Sequence, residues 1–160
     1  MKILSKKEIK KIEDQIESVY GSDKVLTGFV VLSTSKEGKI WITNTDALKL
    51  DLSSLRVNAV GLYFCRLDKG KLRLSIEGAQ IIAQTANKNI AEISHDSVWD
   101  YLRGFDITTE TKNLDENTYV LVKHKEDILG IAKHIDGKLH SVLPKSRKLI
   151  SLTKPDTFLP

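Results

Sequence analysis

Three cations fall within five residues near the end of the chain: Lys145, Arg147 and Lys148, in the run PKSRK. Lys133, Lys138 and Lys154 extend the set, so the stretch from Ile128 to Lys154 holds six positive side chains against one acid, Asp136. The chemistry open to such residues is the binding of a polyanion. An arginine can meet a phosphate with two parallel N–H donors, whereas a lysine acts as a point charge. The rest of the chain is balanced. Residues 1 to 127 carry 19 basic and 19 acidic side chains, so the formal net charge of +4 arises at the C-terminal end. A total this small says little, but its segregation is the electrostatic footprint of an anionic partner. Any one of these lysines taken alone reads as a solvated side chain. The cluster is less ordinary, because Pro144 has no N–H for a strand ladder and puts the cations on a loop or edge.

Catalytic chemistry finds no comparable signal. The four histidines, His95, His124, His134 and His140, show no metal-ligand spacing, and His124 lies between Lys123 and Lys125. Cys65 sits in an apolar run and reads as a small buried residue rather than a nucleophile. No GxGxxG, P-loop or GxSxG pattern occurs. The expectation is a binding protein rather than an enzyme, with no cofactor and no metal.

Length and composition set the frame for this reading. The 160 residues allow one domain or two small ones, and 41% hydrophobic residues suffice for a folded core. No apolar run approaches the roughly 18 residues of a membrane helix, and MKILSKKEIKK lacks the apolar centre of a secretory signal. A single cysteine fits a reducing compartment. The reading is a soluble, cytoplasmic protein, nucleolar if eukaryotic.

The elements that must position the cations follow from periodicity. Ser5-Lys6-Lys7-Glu8 is a capping box, and Ile9, Ile12, Ile16 and Val19 give one apolar stripe, so a helix runs from about Lys6 to Tyr20 and stops at Gly21. Strands are expected over Lys24 to Thr34 and Lys39 to Thr43, joined by a turn at Ser35 to Gly38. Trp41 reads as core. A short helix follows from Asn44 or Thr45 through Leu50, then a strand from Val57 to Leu67. Asp68-Lys69-Gly70 is a turn, and KLRLSI alternates as a half-buried strand that places Lys71 and Arg73 on one exposed face. Glu77 to Ala86 reads as a helix. The pattern breaks at Asn87-Lys88-Asn89, where a domain junction is expected. Beyond it come a short strand over Ile90 to Ile93 and a helix from His95 to Arg103 capped by Ser94 and ended by Gly104. Lys112 to Asn117 reads as a polar loop. Strands are then expected over Thr118 to Lys123, Ile128 to Ile135 and Lys138 to Leu143, with Asp136-Gly137 as a hairpin turn and a last strand over Leu149 to Leu152. The second half is mostly strands around one helix, consistent with a small barrel.

The order of these pieces resembles a PUA domain, the RNA-binding domain named for pseudouridine synthase and archaeosine transglycosylase. The likeness rests on the helix ending in YLRGFDI (Tyr101 to Ile107), the strand TYVLVKH and the run Leu129-Gly130-Ile131-Ala132. The stretch from Gly61 to Leu74, GLYFCRLDKGKLRL, is similar to the signature that precedes the PUA domain in large-ribosomal-subunit biogenesis factors of archaea and eukaryotes. Here Cys65 or Arg66 stands where the second glycine of that signature is usual, and the chain ends in proline.

What the resemblance implies is an α+β chain, with an N-terminal α/β pre-PUA domain at 1–87 and a C-terminal small β-barrel PUA domain at 88–160. It implies a non-catalytic protein binding rRNA or its precursors in large-subunit assembly. Carried over by residue, the RNA-binding face would comprise Arg103, Gly104, Lys145, Arg147, Lys148 and Lys154. Gly104 would let an RNA backbone approach without a Cβ in the way. Tyr101 and Phe105, which flank it, read as core. The partners expected are RNA and, through the N-terminal domain, ribosome assembly proteins, with no membrane and a monomeric chain. Two alternatives stay open: a stand-alone RNA-targeting module that partners a methyltransferase or pseudouridine synthase, and a protein-interaction adaptor whose basic tail is incidental.

Overall fold

Period-two apolar runs and three amphipathic helices assemble into two five-stranded sheets in a computed structural model, which describes residues 1–34, 38–50 and 59–150. The first sheet runs in chain order through β1 (Lys2–Ile3), β2 (Val30–Thr34), β3 (Lys39–Thr43), β4 (Leu62–Asp68) and β5 (Lys71–Leu74), each antiparallel to the next.

Helix α1 (Lys6–Tyr20) starts where the capping box places it. The Ser5 hydroxyl accepts the Glu8 N–H at 3.3 Å, and the Glu8 carboxylate accepts the Ser5 N–H at 2.8 Å. Ile12, Ile16 and Tyr20 bury the stripe against the sheet. Helix α2 (Ile76–Ala83) is capped by Ser75, whose hydroxyl accepts the Gly78 N–H at 2.8 Å. Gly78 is required here, since a Cβ would lie 2.1 Å from the carbonyl oxygen of Phe64 in β4.

The second sheet has the order β6 (Ile90–Glu92), β8 (Thr118–His124), β9 (Asp127–Ile135), β10 (Lys138–Ser141), β7 (Ile107–Thr108). Among the described strands only β6 pairs in parallel, with β8. The sheet curls until its edges meet: Thr109, just past β7, donates its hydroxyl to the Glu92 carbonyl at 2.7 Å, and the Glu92 N–H donates to the Thr111 hydroxyl at 2.9 Å. Helix α3 (His95–Arg103) packs into this curl through Val98 and Tyr101. The Tyr101 ring is fully buried and its hydroxyl donates to the Ile131 carbonyl at 2.9 Å.

The two sheets share a core. Leu121 and Ile131 of the second sheet lie in one apolar cluster with Ile12, Tyr20, Ala79 and Ile82. The Tyr20 hydroxyl donates to the Tyr119 carbonyl at 2.9 Å, and the Asn89 side chain reaches both the Val19 carbonyl and Asp115.

Three expectations for the elements are corrected. The strand expected from Lys24 begins at Val30, because Val25 to Gly28 form a turn. Lys24 and Gly28 both have positive φ, and Leu26 anchors the turn in the core. The strand expected from Val57 begins at Leu62. Gly61 breaks it with φ of 75°, packed so tightly on Ile42 that no side chain would fit, and Val57 itself lies outside the described residues. Leu149 and Ile150 are not in a strand; Ser151 and Leu152, and Ser35 to Glu37 of the expected turn, lie outside the described residues.

Candidate nucleic-acid interface

Arg103 closes α3, and Gly104 turns the chain away with φ of 88°. The closure satisfies two helix-end carbonyls: Phe105 N–H donates to Asp100 and Gly104 N–H to Tyr101, both at 2.9 Å. The turn throws Phe105 outward, 50% exposed, and the Arg103 guanidinium stands 4.8 Å from its ring centroid. Of the two aromatics read as core from the sequence, Tyr101 is core and Phe105 is not.

The cationic run approaches the same corner. The Leu149 N–H donates to the Leu102 carbonyl at 3.0 Å, so the chain after Pro144 is tied to the end of α3. Lys148 lies across Gly104, where a Cβ would come within 2.5 Å of its Cε. The bare side of Gly104 is thus covered by the lysine stem. Arg103, Gly104 and Lys148 are brought together, and Lys145 is exposed on the 3-10 turn Lys145–Arg147. Arg147 departs from the group, bonding Glu77 at the start of α2 at 2.7 Å. Lys154 lies outside the described residues.

Arg147 also lines a cleft of about 460 Å³ between the two sheets. Its opposite wall is the outer face of β3, β4 and β5, and a bulge builds that face. Ile40 lies opposite Cys65 but Trp41 lies opposite Tyr63, which leaves Phe64 without a counterpart. Phe64 and Cys65 both turn into the core, fully buried. Tyr63 and Arg66 therefore emerge on the same face although they are three positions apart, an odd spacing that would put them on opposite faces of a regular strand. Across that face Lys39 pairs with Arg66 and Arg66 with Arg73, three cations in one row. Like charges directly opposite one another destabilise a sheet. Asp68 offsets part of this, 3.6 Å from Arg66, and Arg73 donates to the Val142 carbonyl at 3.0 Å. Next to the row, Trp41 and Tyr63 set their rings at 5.3 Å and 49°.

Trp41 is thus a half-buried wall of the cleft rather than the core residue its strand position suggested. Lys71 and Arg73 do share the outer face of β5, as the alternation implied. The sequence missed Lys39, Tyr63 and Arg66, because the bulge interrupts the period of two that would have grouped them. The doubled burial of Phe64 and Cys65, two adjacent apolar residues in an alternating strand, is the only sequence trace of it.

Burial pushes the Cys65 thiol well above its ordinary value, away from the reactive thiolate. Among the described residues no group of three His, Cys, Asp or Glu side chains could hold a metal, and no helix is long and apolar enough to cross a membrane. What the two surfaces can do is hold anions, with aromatic rings beside the cations.

Residues 88–149 match the family model described as the PUA domain of the methyltransferase RsmF, so this part of the chain is a PUA-like domain. The chain is 26% identical over 129 residues to the ribosomal RNA small subunit methyltransferase F of Vibrio vulnificus strain YJ016, and equally to that of strain CMCP6. The aligned part is 77% of this chain but only 27% of those relatives, so the chain spans about a quarter of their length. The relatives are named as small-subunit rRNA methyltransferases, and the large-subunit assembly family that the Gly61 to Leu74 stretch resembles is not among these matches.

Proposed function

We propose that this chain is a non-catalytic RNA-binding module that directs an RNA-modifying catalytic unit, of methyltransferase type, to ribosomal RNA. The observation that carries the reading is the PUA-like match over 88–149, the segment that also bears Arg103, Gly104, Lys145, Arg147 and Lys148. In this reading the chain divides into a unit at 1–87 and an RNA-binding unit at 88–160. The monomeric chain meets phosphates through Arg103, Lys145 and Lys148, with Lys154 continuing the surface and Gly104 seating Lys148. Such contacts supply affinity and salt dependence, and base choice comes from elsewhere.

A second reading places the chain in large-subunit assembly, with assembly proteins on the unit at 1–87. It is favoured by the Gly61 to Leu74 stretch, which forms β4, a tight turn and β5. Ultraviolet crosslinking of the chain to RNA in cells, followed by sequencing, tests both. Crosslinks concentrated in small-subunit rRNA support the methyltransferase reading, and crosslinks in large-subunit precursors support the second. An absence of RNA above background overturns both and leaves the protein-adaptor alternative.

A further inference from the structure

The cleft between the sheets is not part of the PUA-like segment alone. One wall comes from β3, β4 and β5, the other from the chain around Val142 to Arg147. It combines two features that one ligand would complement. Three cations sit in register across adjacent strands, Lys39 opposite Arg66 and Arg66 opposite Arg73. Beside them a tryptophan and a tyrosine line an open cavity of about 460 Å³ rather than the core. A row of cations matches a chain of anions, and an aromatic pair lining a cavity of this size matches a flat ring. One ligand carries both at a fixed spacing: a nucleotide within a single strand.

We infer that the cleft takes one unpaired nucleotide of a bound RNA, its base against Trp41 and Tyr63 and its flanking phosphates along Lys39, Arg66 and Arg73. The inference rests on the RNA-binding reading and deepens it, since it gives a base-reading site to a surface whose other contacts meet phosphate. Duplex RNA does not fit, because its bases are stacked and paired, whereas a loop or bulge presents a base that can enter. The Glu77–Arg147 ion pair spans the two walls at 2.7 Å and joins the C-terminal strap to α2 at the cleft's margin.

The chain has two tryptophans, so replacing Trp99 by phenylalanine leaves Trp41 as the only indole reporter. The test is quenching of Trp41 in the full-length Trp99→Phe chain, titrated with a ten-nucleotide single-stranded RNA and with the same strand made abasic at every position. In parallel, anisotropy of the labelled strand reports binding itself. The expected result is saturable quenching by the RNA, none by the abasic strand, and a loss of quenching in Arg66→Gln and Arg73→Gln. Trp41→Leu should weaken binding between about fivefold and a hundredfold, the range for losing one stacked base, and Trp41→Phe should restore most of it. Binding by anisotropy that leaves Trp41 unquenched and is unchanged in the arginine variants overturns the cleft and leaves the RNA reading standing. No binding to any RNA, single-stranded or structured, overturns both.

Discussion

At the scale of single residues, several side chains have roles that chemistry alone defines. Glu8 is held near 2, below the ordinary value of 4.5, by the Lys2 ammonium first and then by the Ser5 N–H and hydroxyl. Its folded-state value is depressed, so its stabilising contribution is present above pH 4.5 and is lost as pH falls toward 2. Urea melts of wild type and Glu8→Gln should therefore converge through that window. Replacing Ser5 with alanine at neutral pH removes the helix cap and should cost about 1 kcal/mol in the same melts. Cys65 gives a second, independent reading. It is buried and its thiol is raised, so a thiol-reactive dye should label the native chain only at the rate of unfolding and label it at once in denaturant. Gly104 supplies a third. Alanine there must hold φ of 88° and displace the Lys148 side chain, and chemical denaturation should show a loss of about 1–2 kcal/mol. Residue chemistry of this kind was largely legible beforehand. The capping box, the helix-ending glycines and the buried cysteine all act through near neighbours in sequence.

At the scale of elements, legibility depended on whether a signal was local. The Asp136-Gly137 hairpin was evident because both residues accept positive φ, and both adopt it, at 49° and 74°. The β4 bulge was not, because a bulge is defined by the partner strand: only the pairing of Ile40 with Cys65 and Trp41 with Tyr63 reveals the extra residue. For the same reason the cationic row could not be read from the sequence. Lys39, Arg66 and Arg73 belong to three strands, and register alone aligns them. The connection between α2 and β6 carries a prediction at this scale. Asn89 is buried with φ of 54°, donates to Val19 and Asp115, and accepts the Asp115 N–H at 2.8 Å. Asn89→Ala strips these hydrogen bonds from buried groups and should destabilise by roughly 2 kcal/mol or more in denaturant melts. Asn89→Asp would retain the acceptor but face Asp115, and should not rescue.

At the scale of the whole molecule, the two sheets share a core through Leu121 and Ile131 and are tied by Tyr20, Asn89, Arg73 and Arg147. The chain should therefore unfold as one cooperative unit. Each half carries one tryptophan, Trp41 and Trp99, so single-tryptophan variants melted in urea should give coincident transitions, and separated midpoints would mean two independent units. The described part of the basic end, Lys145 to Lys148, lies on the same body, so the proposed phosphate-binding edge and the proposed cleft site stand on one unit. The charge segregation that first pointed to a polyanion was visible in the sequence. What composition could not show was that Arg147 leaves the cluster for Glu77 and the cleft, a choice made by tertiary packing.

RNA binding by the basic edge is tested by the affinity of the 160-residue chain for a structured ribosomal RNA fragment, measured across salt, for wild type and the Arg103→Ala/Lys145→Ala/Lys148→Ala variant. Log K should fall linearly with log salt for wild type. The triple variant should bind more weakly at every salt concentration, with a slope shallower by about 3, roughly one unit for each phosphate no longer neutralised. Binding that ignores salt, or a variant with wild-type affinity and slope, would contradict RNA binding by that edge.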